Sequence, residues 1–141
     1  MRTYRFEVKG LPPKKDGAQS MWSKPLEAER LVALRQAALQ ALKDELPLWS
    51  NIRLTLKIHL PVNNRPIGDL DTFITGVCDG LMKRAPGSKL HEETWNKPKY
   101  SNIHPDNVIA IQDDSQVVSI QAEKIIGKSD QQWYEVVLEG E

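Results

Sequence analysis

The sequence lacks the features that mark secreted and membrane proteins. Cys78 is the only cysteine among 141 residues, so no disulfide bond can form within the chain. No apolar run approaches the ~20 residues that a membrane-spanning helix needs. The first ten residues alternate charged and apolar side chains, unlike the apolar region of a signal peptide. These absences and the chain length predict a single cytoplasmic domain over residues 1–141 with no membrane partner.

Motifs of several enzyme classes are also absent. The sequence contains no GxSxG nucleophile motif, no phosphate-binding P-loop and no CxxC pair. Its three histidines lack the spacing of a metal site. An acid pair of the glycosidase type would need an aromatic-lined cleft. The four tryptophans are scattered along the sequence, so a glycosidase site fits poorly.

The net charge is zero, which argues against a polycation that coats nucleic acid. The two parts of the chain differ, however. Residues 1–68 hold 12 Lys and Arg against 6 Asp and Glu, whereas residues 69–141 hold 7 against 13. This asymmetry indicates either a basic binding surface beside an acidic site or a chance distribution over a solvated surface.

Hydrophobic periodicity predicts an α/β (α+β) fold with a small mixed sheet of about four strands and two main helices. Residues 85–110 carry no lasting period and three prolines, so we expect a long loop insertion there. The polar loop 11–20 is expected to be mobile, and Gly127 to Asp130 to form a hairpin turn. The predicted order is β-α-β-α-β-β, with strands at 3–10, 51–61, 115–125 and 130–140 and helices at 25–46 and 68–82.

Two acidic pairs stand at the edges of apolar segments. Asp69 and Asp71 open the second helix, and Asp113 and Asp114 precede the third strand. Taken separately, each pair has a structural explanation, because aspartate caps helix N-termini and favours turns. One helix needs only one cap, however, so the second aspartate of the first pair requires another role.

The two pairs have a joint explanation if the third strand lies beside the N-terminus of the second helix. Three or four carboxylates would then converge. Two like charges 4 Å apart repel by about 4 kcal/mol at an effective dielectric constant of 20, so protonation or a bound cation must offset such a cluster. Oxygen ligands select hard cations such as Mg²⁺ or Mn²⁺. The arrangement predicts a metal site for phosphodiester cleavage.

These motifs resemble the RusA family of Holliday junction resolvases. The resemblance covers nearly the whole chain, including the N-terminal strand that runs into LPPKK. It rests on Asp69-Leu70-Asp71, on the apolar helix ending Asp79-Gly80-Leu81, and on Asp113-Asp114-Ser115-Gln116-Val117-Val118 with Lys124. Thr72 and Thr75 stand where the family pattern usually has asparagine and lysine.

The resemblance implies a small α/β homodimer that binds four-way DNA junctions and nicks them symmetrically with Mg²⁺. By position, Asp69, Asp71 and Asp114 match the family's essential acidic residues, and Asp113 matches their supporting neighbour. Lysines and arginines near these acids are candidates for contacts to DNA phosphates. They are Arg65, Lys14, Lys15, Lys83 and Lys124.

Two other functions remain open at this point. Because Thr75 replaces the family lysine, the chain could be a junction-binding architectural protein without catalysis. It could also be an α/β interaction domain whose carboxylates only cap a helix and form a turn.

Overall fold

The computed structural model describes residues 2–15, 17, 19–43, 50–62 and 67–140. It confirms a mixed α/β fold with a four-stranded mixed sheet and the predicted order of elements. Among these residues, no helix is long and apolar enough to cross a membrane. The strands are β1 (Arg2–Lys9), β2 (Ile52–Leu60), β3 (Val117–Ile126) and β4 (Trp133–Gly140), and the helices are α1 (Pro25–Leu42), α2 (Leu70–Gly80) and the short α3 (Glu92–Trp95).

The strands lie in the order β1-β4-β2-β3. β2 and β3 pair in parallel, and β4 lies antiparallel between β1 and β2. The hairpin predicted at Gly127 to Asp130 is therefore wrong, because β3 and β4 do not pair. The link between them passes the end of β2, where the Gly127 N–H donates to the Leu60 carbonyl at 2.9 Å. Alternation within a strand shows which residues share a face, but it does not identify the neighbouring strand.

Both long helices lie on one face of the sheet. Since β1 and β2 are each antiparallel to β4, the strands β1, β2 and β3 all run in one direction. Right-handed crossovers then place α1 and α2 on the same side, where the two helices contact each other. The alternation predicted for β2 is confirmed, with buried residues from Ile52 to Leu60 facing the helices. On the other face, Trp133 stacks on His59 with ring centroids 3.8 Å apart.

Helix α1 ends earlier than predicted. Pro25 is its first residue, a position where the missing N–H of proline is tolerated. The chain leaves the helix after Leu42, because Lys43 adopts a left-handed conformation with φ of 52°. The last three residues of the predicted helix, 44–46, lie outside the described residues.

The first loop is packed, not mobile, over residues 11–15. Leucine and both prolines of this segment are buried. Helix α2 passes so close that a Cβ atom on Gly76 would lie 2.0 Å from the carbonyl oxygen of Pro13. The N–H of Lys14 donates to the buried carboxylate of Glu27 in α1 at 2.9 Å. The loop is thus held between both helices, so its two lysines have defined positions.

The excursion over residues 85–110 folds back onto the core. It contains α3 and a 3₁₀ turn, Pro98–Ile103. The buried ring of Trp95 packs against Trp22 with centroids 5.7 Å apart, and its N–H donates to the Trp22 carbonyl at 3.0 Å. Ile103 is also buried. The segment predicted as a long loop insertion is therefore partly structured around Trp95 and Ile103.

The guanidinium of Arg35 holds this excursion against α1 and α2. The side chain is fully buried, and its five N–H groups donate to five main-chain carbonyls at 2.7–2.9 Å. A guanidinium has five N–H donors, so all of them are satisfied. Burial lowers the pKa of Arg35 to about 9. The acceptors belong to Gly80, Met82, Ile103, His104 and Asn107.

Replacing Arg35 by methionine should destabilise the protein strongly. Methionine fills much of the same space, but five carbonyl oxygens lose their donor. Because one buried unsatisfied polar group costs roughly 1–3 kcal/mol, we expect the free energy of unfolding to fall by at least about 3 kcal/mol. Urea denaturation followed by circular dichroism measures the change.

The matched control is Arg53→Met, which removes an exposed arginine of β2. It should change the free energy of unfolding by less than about 0.5 kcal/mol. Equal effects of the two substitutions would show that the hydrogen bonds of Arg35 do not stabilise the fold.

Candidate functional site

The first acidic pair lies at the exposed N-terminal end of α2. The carboxylate of Asp71 accepts the Thr72 N–H at 3.0 Å, a donor of the first turn that also reaches the Asp69 carbonyl at 3.2 Å. Asp69 occupies the N-cap position, but its side chain does not cap the helix. Only its main-chain carbonyl is used, by the Thr72 hydroxyl at 2.7 Å. Capping therefore accounts for Asp71 in part and leaves the Asp69 carboxylate without a structural role in the helix.

Two of the predicted basic residues lie directly beside this pair. Lys124, from β3, donates to the carbonyl of Gly68 at 2.7 Å, and Lys14, from the first loop, donates to the carbonyl of Ile67 at 3.3 Å. Gly68 has a φ of 143°, which favours glycine. A Cβ atom there would also lie 2.8 Å from the side chain of Lys14. Two ammonium groups are thereby brought next to the residue that precedes Asp69.

Both residues of the second acidic pair are exposed, and Asp113 has a structural role in a turn. Asp113 forms a capping box with Gln116 around a 3₁₀ turn, Asp114–Gln116. The Gln116 side-chain oxygen accepts the Asp113 N–H at 2.9 Å, and Asp113 accepts the Ser115 hydroxyl at 2.6 Å. Asp113 therefore has the structural role in a turn that the sequence offered as one explanation for this pair. Asp114 is exposed at the start of the turn.

Asp114 lies toward the C-terminal end of α2. It lines a pocket of about 450 Å³ together with Asp113 and with Asp79 of the last turn of α2. Burial, together with the carboxylates of Asp79 and Asp114, raises the pKa of the neighbouring Cys78 thiol to about 11. The rim of the pocket also carries Lys15, Lys83 and Arg84.

A single chain does not bring the two acidic pairs together. Helix α2 runs opposite to β2 and β3, so its N-terminus lies beside Lys124 late in β3 and its C-terminus beside Asp114 before β3. Asp71 and Asp79 are eight residues apart, which is about 12 Å along a helix. Among the described residues, no three His, Cys, Asp or Glu side chains are grouped so that they could hold a metal ion. The two predicted acidic pairs therefore lie at opposite ends of α2 in one chain.

The remaining predicted residues lie along the same helix. Lys15 forms an ion pair with Asp79 at 2.7 Å, and Lys83 lines the pocket described above. Thr75 is exposed between the two ends, with its hydroxyl donating to the Asp71 carbonyl at 3.0 Å. Arg65 lies outside the described residues.

Sequence reasoning missed two features of this region. Asp79 was grouped with the apolar helix, although it follows Asp71 by eight residues and so shares a side of α2 with it. Arg35 was not singled out, although it lies four residues after Leu31 and three before Ala38 and so falls on the buried face of α1. The spacing from Asp71 could have identified Asp79; no local signal identifies the acceptors of Arg35.

Alkylation of Cys78 tests the position of Asp114. A neighbouring negative charge disfavours the thiolate, so Asp114→Asn should lower the pKa of Cys78. Because the thiolate is the reactive form, we expect faster alkylation by iodoacetamide at mildly alkaline pH, measured by mass spectrometry. Asp130→Asn is the control, since Asp130 is exposed in the link before β4. Equal rates for the three proteins would contradict the closeness of Asp114 and Cys78.

Comparison with protein-family models gives no match for this chain, and comparison with curated proteins also gives none. Its function is therefore inferred from its own residues and their geometry.

Proposed function

We propose that this chain is a metal-dependent, structure-selective endodeoxyribonuclease of the RusA type that resolves four-way DNA junctions in recombination and repair. The observation that carries the proposal is the meeting of Asp69 and Asp71 with Lys14 and Lys124 at one exposed helix end. Acidic residues beside paired cations suit chemistry on a phosphodiester, because the reaction needs both carboxylates and positive charge.

The two lysines have a specific part in this proposal. Each ammonium group now contacts a main-chain carbonyl, that of Gly68 or Ile67. A DNA phosphate oxygen is a stronger partner, because hydrogen bonds between charged groups are roughly twice as strong as neutral ones. Lys124 and Lys14 would therefore turn toward a bound phosphate and stabilise the negative charge that develops on it.

Mg²⁺ or Mn²⁺ is the expected cofactor. Carboxylate oxygens are the ligands these ions prefer, and the proposed donors are Asp69, Asp71 and Asp114, with Asp113 as their neighbour. Asp113 is already engaged by the 3₁₀ turn. Since one chain does not assemble the three donors, the donor set of a single copy is incomplete.

The exposed side of α2 offers a path for DNA between its two ends. It leads from Asp71 past Thr75 to Asp79, with Lys15 and Lys83 at the far end. These lysines would contact the phosphate backbone, which positions DNA without selecting its sequence. The proposed substrate is a four-way junction, the proposed active form is a homodimer that matches two symmetric strands, and the proposed location is the cytoplasm.

A second candidate is a junction-binding protein that has little or no catalytic activity. Thr75 in place of the family lysine favours it, as does the separation of the two acidic pairs in one chain. Such a protein would bind branched DNA through the same lysines and leave it uncut.

Cleavage assays separate the two candidates. We expect the wild type to nick a synthetic four-way junction, but not linear duplex, in the presence of Mg²⁺. Asp71→Asn and Asp114→Asn should each lower cleavage by at least about 100-fold, because loss of one essential catalytic group typically has that effect. Junction binding should be unchanged or tighter, because each substitution removes a negative charge facing phosphate.

The matched control is Asp130→Asn, which removes an exposed carboxylate remote from α2 and should cut at the wild-type rate. Near-normal cleavage by Asp71→Asn would show that the site is misplaced. Tight binding by the wild type without any cleavage would favour the architectural candidate.

Thr75→Lys should increase junction affinity. Thr75 lies one turn after Asp71 on the exposed side of α2, so a lysine there can reach a phosphate bound near the N-terminal end. An additional phosphate contact releases more counterions, so log affinity should fall more steeply with log salt concentration, by a slope difference of about 0.9. Titration of labelled junction at several salt concentrations measures both effects.

The comparison variant is Thr75→Gln, which has similar reach but no charge. It should leave the salt slope unchanged. If Thr75→Lys also leaves the slope unchanged, this side of α2 does not face the DNA.

A further inference from the structure

The pocket beside Asp114 is enclosed by three separate parts of the chain. One wall is formed by residues 20–22 before α1, a second by residues between 82 and 88, where the chain leaves α2 for the excursion, and a third by the turn at 112–114. Its volume of about 450 Å³ lies within the range of pockets that bind small molecules. One flat heteroaromatic ring with its substituents therefore fits into it.

Hydrogen bonds hold these walls in place without a ligand. The Ser20 hydroxyl donates to the Lys89 carbonyl at 3.1 Å and so links the first wall to the second. Arg84 fixes the second wall, because its main-chain N–H donates to the Pro105 carbonyl and its side chain to the Asp106 carboxylate, both at 2.7 Å. A preformed pocket loses little conformational freedom when a ligand binds.

The lining combines apolar side chains with an available polar one. Met21 and Trp22 belong to the core and line the pocket together with the half-buried Met82. Methionine is an adaptable partner for aromatic rings. Gln112 is exposed at the third wall, and its side-chain amide has no hydrogen-bond partner within the described part of the chain. That amide therefore offers one acceptor and two donors to a ligand.

We propose that this pocket receives one unpaired nucleobase, from a nucleotide next to the phosphate that reacts at Asp114. The inference rests on the proposed nuclease function, which requires a phosphate near Asp114. A base has two apolar faces and a polar edge of donors and acceptors. The two methionines and Trp22 would contact the faces, and the Gln112 amide would form hydrogen bonds with the edge. The exposed Lys83 on the rim would contact a flanking phosphate.

A pocket of this kind accounts for the selection of branched over linear DNA. Phosphate contacts alone do not distinguish the two, because both present the same backbone. An intact duplex resists the loss of a base from its stack. The stack is interrupted where the strands of a junction exchange, so unstacking costs less there. The base would therefore enter the pocket from a junction and not from linear duplex.

The fluorescence of 2-aminopurine tests whether a base leaves the stack. This base analogue is dim within a stack and brighter outside it, and it is placed at successive positions around the exchange point of a synthetic junction. In the absence of divalent metal, we expect bound wild type to brighten one position near that point. Gln112→Trp fills the pocket with an indole ring, so it should abolish the increase. It should also weaken junction binding by about tenfold, the effect of losing one or two hydrogen bonds.

The matched control is Gln131→Trp, which introduces the same side chain at an exposed position in the link before β4. It should keep both the fluorescence increase and the wild-type affinity. Gln112→Ala removes the amide without adding bulk and should reduce both. Two variants of Gln112 are used so that misfolding of one leaves the other as a test.

Photo-cross-linking locates the unstacked base. A junction that carries 5-iodouracil at the brightest position is irradiated in complex with the wild type, and the attached peptide is identified by mass spectrometry. We expect attachment within residues 20–22, 82–88 or 112–114. Attachment to another part of the chain would overturn the assignment to this pocket.

The results separate this inference from the proposed function. Junction binding with no fluorescence increase at any position, or with an equal increase in Gln112→Trp, would overturn the pocket even if the wild type cuts junctions. An increase that Gln112→Trp abolishes would support the pocket, and the pocket would stand even if the wild type never cuts DNA with Mg²⁺ present. A wild type that binds no junction DNA would refute both.

Discussion

The arrangement of this protein depends on one buried cation. The guanidinium of Arg35 ties α1 to the end of α2 and to the excursion that follows it, through five main-chain carbonyls. Its acceptors are spread over more than twenty residues of chain that have little regular structure. A buried polar group without a partner is costly, so the guanidinium stabilises the path of the chain from Gly80 to Asn107, together with contacts such as that of Trp95 with Trp22. That path determines where Asp113, Asp114 and β3 begin.

The direction of α2 relative to the strands determines which acidic residues lie near each other. A right-handed crossover between parallel strands must run back along the sheet, so the residues before α2 and those before β3 lie at opposite ends of the helix. Lys124, late in β3, reaches the first end, and Asp114 reaches the second. In one chain, the N-terminal end of α2 therefore carries both basic and acidic residues, and the pocket at its C-terminal end carries a separate group of acidic residues.

Much of the fold was predictable from local pattern. The alternation of β2 depends on side-chain spacing alone, and the structure confirms it. Helix α2 also forms where its apolar periodicity predicts a helix, although its buried residues are Phe73, Gly76, Val77 and Gly80. Asp69 and Asp71 were found at the start of α2 because a helix N-terminus has a local signature. The neighbour of each strand was not predictable, since β4 inserts between β1 and β2 although it follows β3 in sequence. The packing of the first loop was missed because it depends on Glu27 and Gly76, which are distant in sequence.

The sequence by itself determined most of the helices and strands and the chemistry of the candidate residues, because these depend on spacing and side-chain type. Only the tertiary structure decided which of those residues meet. Lys14 and Lys124 reach the same helix end from positions 110 residues apart, and Asp113 is used to cap a turn while Asp114 stays exposed. The physical reason is that the burial of apolar surface is non-directional and hardly depends on which strands are neighbours. Hydrogen bonds such as those of Arg35, and the handedness of crossovers, are directional and so select one topology.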